Sequence, residues 1–153
     1  LSKAFGLAAV RCGFIVAAQE VMDYVMKLIP PYPMPDSSAE IVLKALSERG
    51  LAKVEASTQA LIETKQRFIN NIKELPWIET IYPSATNFVL IRTHADVDLF
   101  SYLAEQGIVT RNQAHEPSLK HCVRITVGSE KSMQEVAETI CNLQLNQSTD
   151  TIN

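Results

Sequence analysis

The chain has 153 residues, 46% of them hydrophobic and 20% charged, and a formal net charge of −3. That is enough apolar material for the core of one domain, or of one domain and part of a second. No basic block points to nucleic acid or an anionic membrane, and no apolar run approaches the ~20 residues of a membrane-crossing helix.

The first stretch, Leu1-Ser-Lys-Ala-Phe-Gly-Leu-Ala-Ala-Val-Arg-Cys-Gly-Phe14, places Lys3 beside Ser2, and Arg11 beyond an apolar interval. Unpaired cations are costly in apolar surroundings, so Lys3 and Arg11 are expected to meet anionic or reactive partners. A partly desolvated lysine can act as a neutral amine toward a carbonyl. A hydroxyl and a guanidinium suit a phosphate. An aldehyde and a phosphate on one small molecule describe pyridoxal phosphate.

Gly13 to Ala18 is a short apolar run with β-branched residues and predicts a buried strand. Gln19 to Ile29 predicts a helix, with Val21, Val25 and Leu28 at helical spacing. Met22, Tyr24, Met26 and Ile29 add so much apolarity that burial on several sides, or a subunit contact, is expected. The prolines from Pro30 to Pro35 break the helix and mark a crossing between domains; Tyr32 within them reads as a packing or loop residue.

Asp36 to Ser38 is expected to cap the next helix, with Ile41, Val42, Ala45 and Leu46 as its stripe and Gly50 as its end. A longer helix is predicted from about Leu51 to Leu75. Val54, Leu61, Phe68 and Ile72 line it, while Lys53, Glu55, Glu63, Lys65, Arg67 and Lys73 read as its solvated face. Pro76 stops it. Strands are predicted at Trp77–Tyr82 and Phe88–Ile91, around a turn at Ser84–Asn87. Asp96 is expected to cap a helix that carries Val97, Phe100, Leu103 and Ala104 and ends at Gly107.

Ile108 to Arg111 reads as a short strand or extended loop, and Asn112 to Lys120 as a loop. From His121 to Val127 the chain alternates, with Val123, Ile125 and Val127 on one face and Cys122, Arg124 and Thr126 on the other. Gly128-Ser129 opens a last helix, and Asn146 to Asn153 reads as a frayed tail. Helix, strand, strand, helix, strand, strand, helix implies an α+β layer, a small mixed sheet with helices on one face.

Arg111 and Arg124 stand out in this second half. Two convergent arginines would clamp an anion by bidentate contacts. Spacing alone favours the plainer alternative, surface cations or cations paired with acids such as Glu105 or Glu116. Cys12, Cys122 and Cys141 are odd in number and far apart, which argues against a disulfide framework and fits a reducing cytoplasm. His94, His115 and His121 lack ligand spacing, so no metal site is expected.

The segment Ser2-Lys-Ala-Phe-Gly-Leu-Ala-Ala-Val-Arg-Cys-Gly-Phe14 resembles the cofactor-lysine segment of the fold-type I aminotransferases, pyridoxal-phosphate enzymes of the α/β class, and within them the histidinol-phosphate branch. It departs from the usual Ala-Gly in having Ala8-Ala9 before Val10. The resemblance implies that Lys3 is catalytic and holds pyridoxal 5'-phosphate covalently, and that Ser2 and Arg11 bind its phosphate. Gly107-Ile-Val-Thr-Arg-Asn-Gln113 and Cys122-Val-Arg-Ile-Thr-Val-Gly128 are similar to two further segments of that branch. Their arginines, here Arg111 and Arg124, would bind the anionic end of the substrate.

The same resemblance implies a homodimer of the cytoplasm that moves an amino group between glutamate and an amino or keto phosphate. It divides the chain into residues 1–35, the last part of a large cofactor-binding domain, residues 36–145, a small C-terminal domain, and the tail. Because the lysine segment stands in the middle of such enzymes, the chain is expected to be a C-terminal portion, incomplete as a catalyst. An aromatic-amino-acid aminotransferase or a threonine-phosphate decarboxylase would suit the lysine segment too. A non-catalytic dimerisation module is the reading from another class.

Overall fold

The computed structural model describes residues 1–143; the tail expected from Asn146 lies outside them. The chain divides into two compact units, Leu1–Gln59 and Ala60 onward, with the boundary inside one long helix.

The first unit holds helix α1 (Gln19–Leu28), helix α2 (Asp36–Ala45) and the start of helix α3 (Glu48–Ile72). Residues 11–18, expected to include a strand, have no regular secondary structure. A strand needs a neighbour for its backbone groups, and this unit contains no sheet. Helix α1 ends one residue before the expected Ile29, which is extended, and none of its residues is buried.

Helix α2 begins at Asp36, so this carboxylate lies in the first turn, where it complements the helix dipole; Pro35 occupies the cap position without a side-chain bond. Gly50 does not terminate α2. It belongs to the first turn of α3, where a Cβ would collide with the backbone carbonyl of Ala45. The glycine lets the two helices meet at a sharp joint.

The second unit packs the rest of α3, helix α4 (Leu99–Glu105) and helix α5 (Glu130–Cys141) with a sheet of four strands. These are β1 (Ile78–Tyr82), β2 (Phe88–Thr93), β3 (Arg111–Asn112) and β4 (Cys122–Thr126), in the order β1-β2-β4-β3. Every pairing is antiparallel, which corrects the expected mixed sheet. The α4 crossover carries the chain from β2 to β3 in the same direction, but β4 fills the slot between them. No parallel pair forms, as in a split β-α-β arrangement.

The alternation read from the sequence places Val123 and Ile125 of β4 in the core, and register sets Val89 and Ile91 of β2 beside them. Phe68 and Ile72 of α3, Leu103 of α4, and Met133, Ala137 and Ile140 of α5 close over them. Two local expectations change. Asp98, not Asp96, caps α4, its carboxylate accepting bonds from the Ser101 N–H and hydroxyl. Residues 94–97 are instead a turn, closed by the Val97 N–H on the His94 carbonyl and by the Thr93 hydroxyl on the Val97 carbonyl. Lys65, expected on the solvated face of α3, is buried.

Candidate functional site

The candidate residues fall into two clusters, one in each unit. In the first, residues 1–12 close on themselves. The Leu7 N–H donates to the Leu1 carbonyl, and the Leu1 nitrogen lies 3.5 Å from the Cys12 carbonyl oxygen. Both ends of the motif, Ser2-Lys3 and Arg11-Cys12, are thereby held at one closure. Gly6, at φ 65°, turns the chain back so that its N–H reaches the Lys3 carbonyl.

Ser2 is half-buried and Lys3 is exposed, with no ion-pair partner among the described residues. Arg11 follows a 3-10 turn at Ala8–Val10 and sits at φ 55°, a left-handed conformation uncommon for a residue with a Cβ. Its guanidinium donates to the Ala8 carbonyl, 3.2 Å away, and remains exposed. Of five N–H donors, most are left for a ligand. An amine, a hydroxyl and a guanidinium at one chain closure fit the aldehyde and phosphate of pyridoxal phosphate.

The second cluster is set by strand register. Arg111 of β3 faces Arg124 of β4 directly, and Arg124 also faces Leu90 of β2. Residues opposed in this way share one side of the sheet with Cα atoms ~5 Å apart, so two like charges are neighbours by construction. Among the described residues neither arginine is ion-paired. Glu116, a partner that spacing allowed, lies instead by the His115 ring at 3.9 Å. Arg124 is half-buried, its Nε is buried without a hydrogen-bond partner, and its guanidinium carbon lies 5.0 Å from the centre of the Phe88 ring. The Arg124 Nε is thus a buried donor still open to an acceptor, on a side chain that lies beside an aromatic ring and opposite a like charge in register.

A third arginine on this sheet, Arg92, has its own partners. It donates to the Ser118 carbonyl at 2.6 Å and to the Cys122 sulfur at 3.5 Å, and lies 5.5 Å from the Tyr82 ring centre. The Cys122 bond is the main cause of a guanidinium pKa raised above its already high ordinary value. Arg92 thus fastens the β3–β4 connection to β2. The aromatic support from Phe88 escaped the sequence reading, because a contact between β2 and β4 depends on register, which no local pattern records. A groove of about 540 Å³ between α3 and α5 contains none of the candidate residues.

Residues 1–140 match the family model for aminotransferases of class I and II. A histidinol-phosphate aminotransferase of Shigella flexneri is 41% identical over 140 residues, 92% of this chain and 39% of that protein. The chain therefore spans about two-fifths of the curated relatives it matches. Among solved structures, the histidinol-phosphate aminotransferase of Clostridium acetobutylicum shares the fold with a TM-score of 0.70 at 19% identity, over 80% of this chain and 37% of that one. A decarboxylase of Sulfurospirillum multivorans does so with a TM-score of 0.76 at 20% identity, over 88% and 39%.

Proposed function

The chain belongs to the class I and II aminotransferases, and we propose that it is the part of a histidinol-phosphate aminotransferase that supplies the cofactor lysine and the arginines for the substrate's anionic end. Residues 1–35 are then the end of the large domain, residues 36–145 the small domain, and the intact enzyme a cytoplasmic homodimer in histidine biosynthesis. Turnover belongs to that intact enzyme, with glutamate as amino donor and imidazole acetol phosphate as acceptor.

When bound, pyridoxal phosphate supplies an electron sink for bonds at the substrate carbon. Lys3 holds the cofactor through its amine. When not engaged in holding the cofactor, the Lys3 Nζ would take the proton from the substrate carbon as general base and, as the resulting ammonium, give it up as general acid at the carbon that gains hydrogen. Ser2 and Arg11 hold the cofactor phosphate and so fix where the reacting end lies. Arg111 and Arg124 receive either anionic group, the carboxylate of glutamate or the phosphate of the keto substrate. The observation that carries this half of the reading is the facing pair itself, two unpaired guanidiniums with the Arg124 Nε buried and unsatisfied.

Against the threonine-phosphate decarboxylase that the lysine segment would also suit stands the 41% identity to an aminotransferase, which outweighs a likeness of fold to a decarboxylase at 20% identity. Rates of the intact enzyme with histidinol phosphate, phenylalanine and threonine phosphate separate the alternatives. The direct test of the site is incubation with pyridoxal phosphate, borohydride reduction and peptide mapping. A dominant adduct on Lys3, lost in Lys3→Ala, is expected. Labelling spread evenly over exposed lysines such as Lys44, Lys53 and Lys73 would overturn the assignment.

A further inference from the structure

Lys65 is a cation in the wrong place for a surface helix. It is only 9% exposed, and among the described residues no carboxylate pairs with it. Burying an ammonium is expensive unless its donors are satisfied. Here two backbone carbonyls serve, Ser84 at 2.6 Å and Thr86 at 2.9 Å. Both belong to the turn between β1 and β2. Side chains knit the same turn: the Ser84 hydroxyl donates to the Phe88 carbonyl at 2.9 Å and lies 2.8 Å from the Thr86 hydroxyl. The Val127 N–H donates to the Asn87 carbonyl at 2.9 Å, fixing the turn to the end of β4.

The first residue after this turn is Phe88, whose ring lies against the Arg124 guanidinium. Among the described residues the Arg124 Nε has no hydrogen-bond partner, and the Phe88 ring is the contact given for its guanidinium. A chain of direct contacts thus runs from Lys65 through the turn to Phe88 and on to Arg124.

We propose that Lys65 is a positioning residue for Arg124, holding the β1–β2 turn by two carbonyls so that the Phe88 ring supports the guanidinium that receives the anion. This rests on the reading of Arg111 and Arg124 as an anion clamp. Lys65 touches no substrate. Its charge serves because an ammonium can grip two carbonyl oxygens at once from one helix, and an arginine at the same position keeps that ability.

The test is titration of the 15N-labelled 153-residue chain with inorganic phosphate, followed at the arginine Nε–H resonances by NMR. Wild type is expected to show a saturable shift at Arg124, assigned by its loss in Arg124→Lys and weakened in Arg111→Gln. Lys65→Met is expected to bind phosphate roughly two- to fivefold more weakly, the range of a lost cation–aromatic support at a solvent-accessible site, and Lys65→Arg to restore the affinity. Thermal unfolding of the same samples separates positioning from stability, since a purely structural lysine would lower Tm and leave phosphate affinity unchanged.

If Lys65→Met does not fold, Phe88→Leu carries the test with the lysine in place. Weaker phosphate binding supports the contact chain, and unchanged binding overturns it. A wild-type chain without a saturable shift at Arg124 overturns the clamp, and this proposal with it. A clamp that persists unaltered in Lys65→Met overturns the proposal alone.

Discussion

Arg111 and Arg124 stand opposite each other on adjacent strands, and among the described residues neither is ion-paired. Like charges directly opposed destabilise a strand pair, so this arrangement costs the fold, and an anion accepting from both would relieve that cost. Asp98 is the reverse case, a charge whose partners are all within the fold. Its carboxylate receives the Ser101 N–H at 3.0 Å and the Ser101 hydroxyl at 2.7 Å, and these bonds hold its pKa below the ordinary aspartate value. A depressed folded-state pKa means that the unfolded chain binds the proton first. The stabilisation is therefore complete above about pH 4, the unfolded aspartate value, and is lost as pH falls through the lower folded value. Asp98→Ala is expected to cost about 1 kcal/mol at pH 7, the usual worth of such a cap, and less at pH 3. Urea unfolding at both values checks it, and a gap that widens on acidification would contradict the assignment. The exposure of Asp98 keeps the effect modest.

At the scale of elements, the α2–α3 joint makes a prediction against the usual sign. Glycine to alanine inside a helix normally stabilises by roughly 0.5–1 kcal/mol. At Gly50 the new methyl would meet the backbone carbonyls of Ala45 and Lys44, which cannot swing aside as a side chain could. Gly50→Ala is expected to lower Tm, whereas Gly128→Ala, where the nearest atom is a side-chain carbon at 3.7 Å, serves as the tolerant control. A Gly50→Ala chain that melts higher than wild type would refute the close approach. Gly50 read as a helix terminator in the sequence because glycine signals an end and a tight start alike. The long helix and the last core strand were legible for a firmer reason: Phe68 and Ile72, or Val123 and Ile125, repeat at the period of the element that buries them. The motif residues Ser2, Lys3, Arg11, Arg111 and Arg124 were legible by type and order. What periodicity could not supply was partnership. Gly13 to Ala18 looked like a strand but has no neighbouring strand, and Lys65 looked solvated because its acceptors, Ser84 and Thr86, lie far along the chain.

For the molecule as a whole, apolar surface is unevenly distributed. The second unit encloses most of its large apolar side chains, with Phe68, Ile72, Ile91, Leu99, Leu103 and Ile140 almost wholly buried and Val109 the main exception at 97% exposed. The first leaves Val16 98%, Leu28 85% and Tyr32 95% exposed, with Phe14, Ile15, Tyr24 and Met26 also open. A soluble monomer rarely shows so many large apolar side chains in one short stretch, and each is worth ~1.5–3 kcal/mol if removed from water. A net charge of −3 on 153 residues offers little electrostatic opposition. The purified chain is therefore expected to associate as concentration rises and to bind a hydrophobic dye. Because the driving force is apolar, added salt should not dissolve the assemblies, as it would for a charge-driven contact. Replacing Val16 by Ser and Leu28 by Gln should reduce the mass seen by light scattering without lowering Tm, since neither side chain contributes to a core. A chain that stays monomeric at every concentration, or a double variant that associates as strongly as wild type, would show that this exposed segment does not govern assembly.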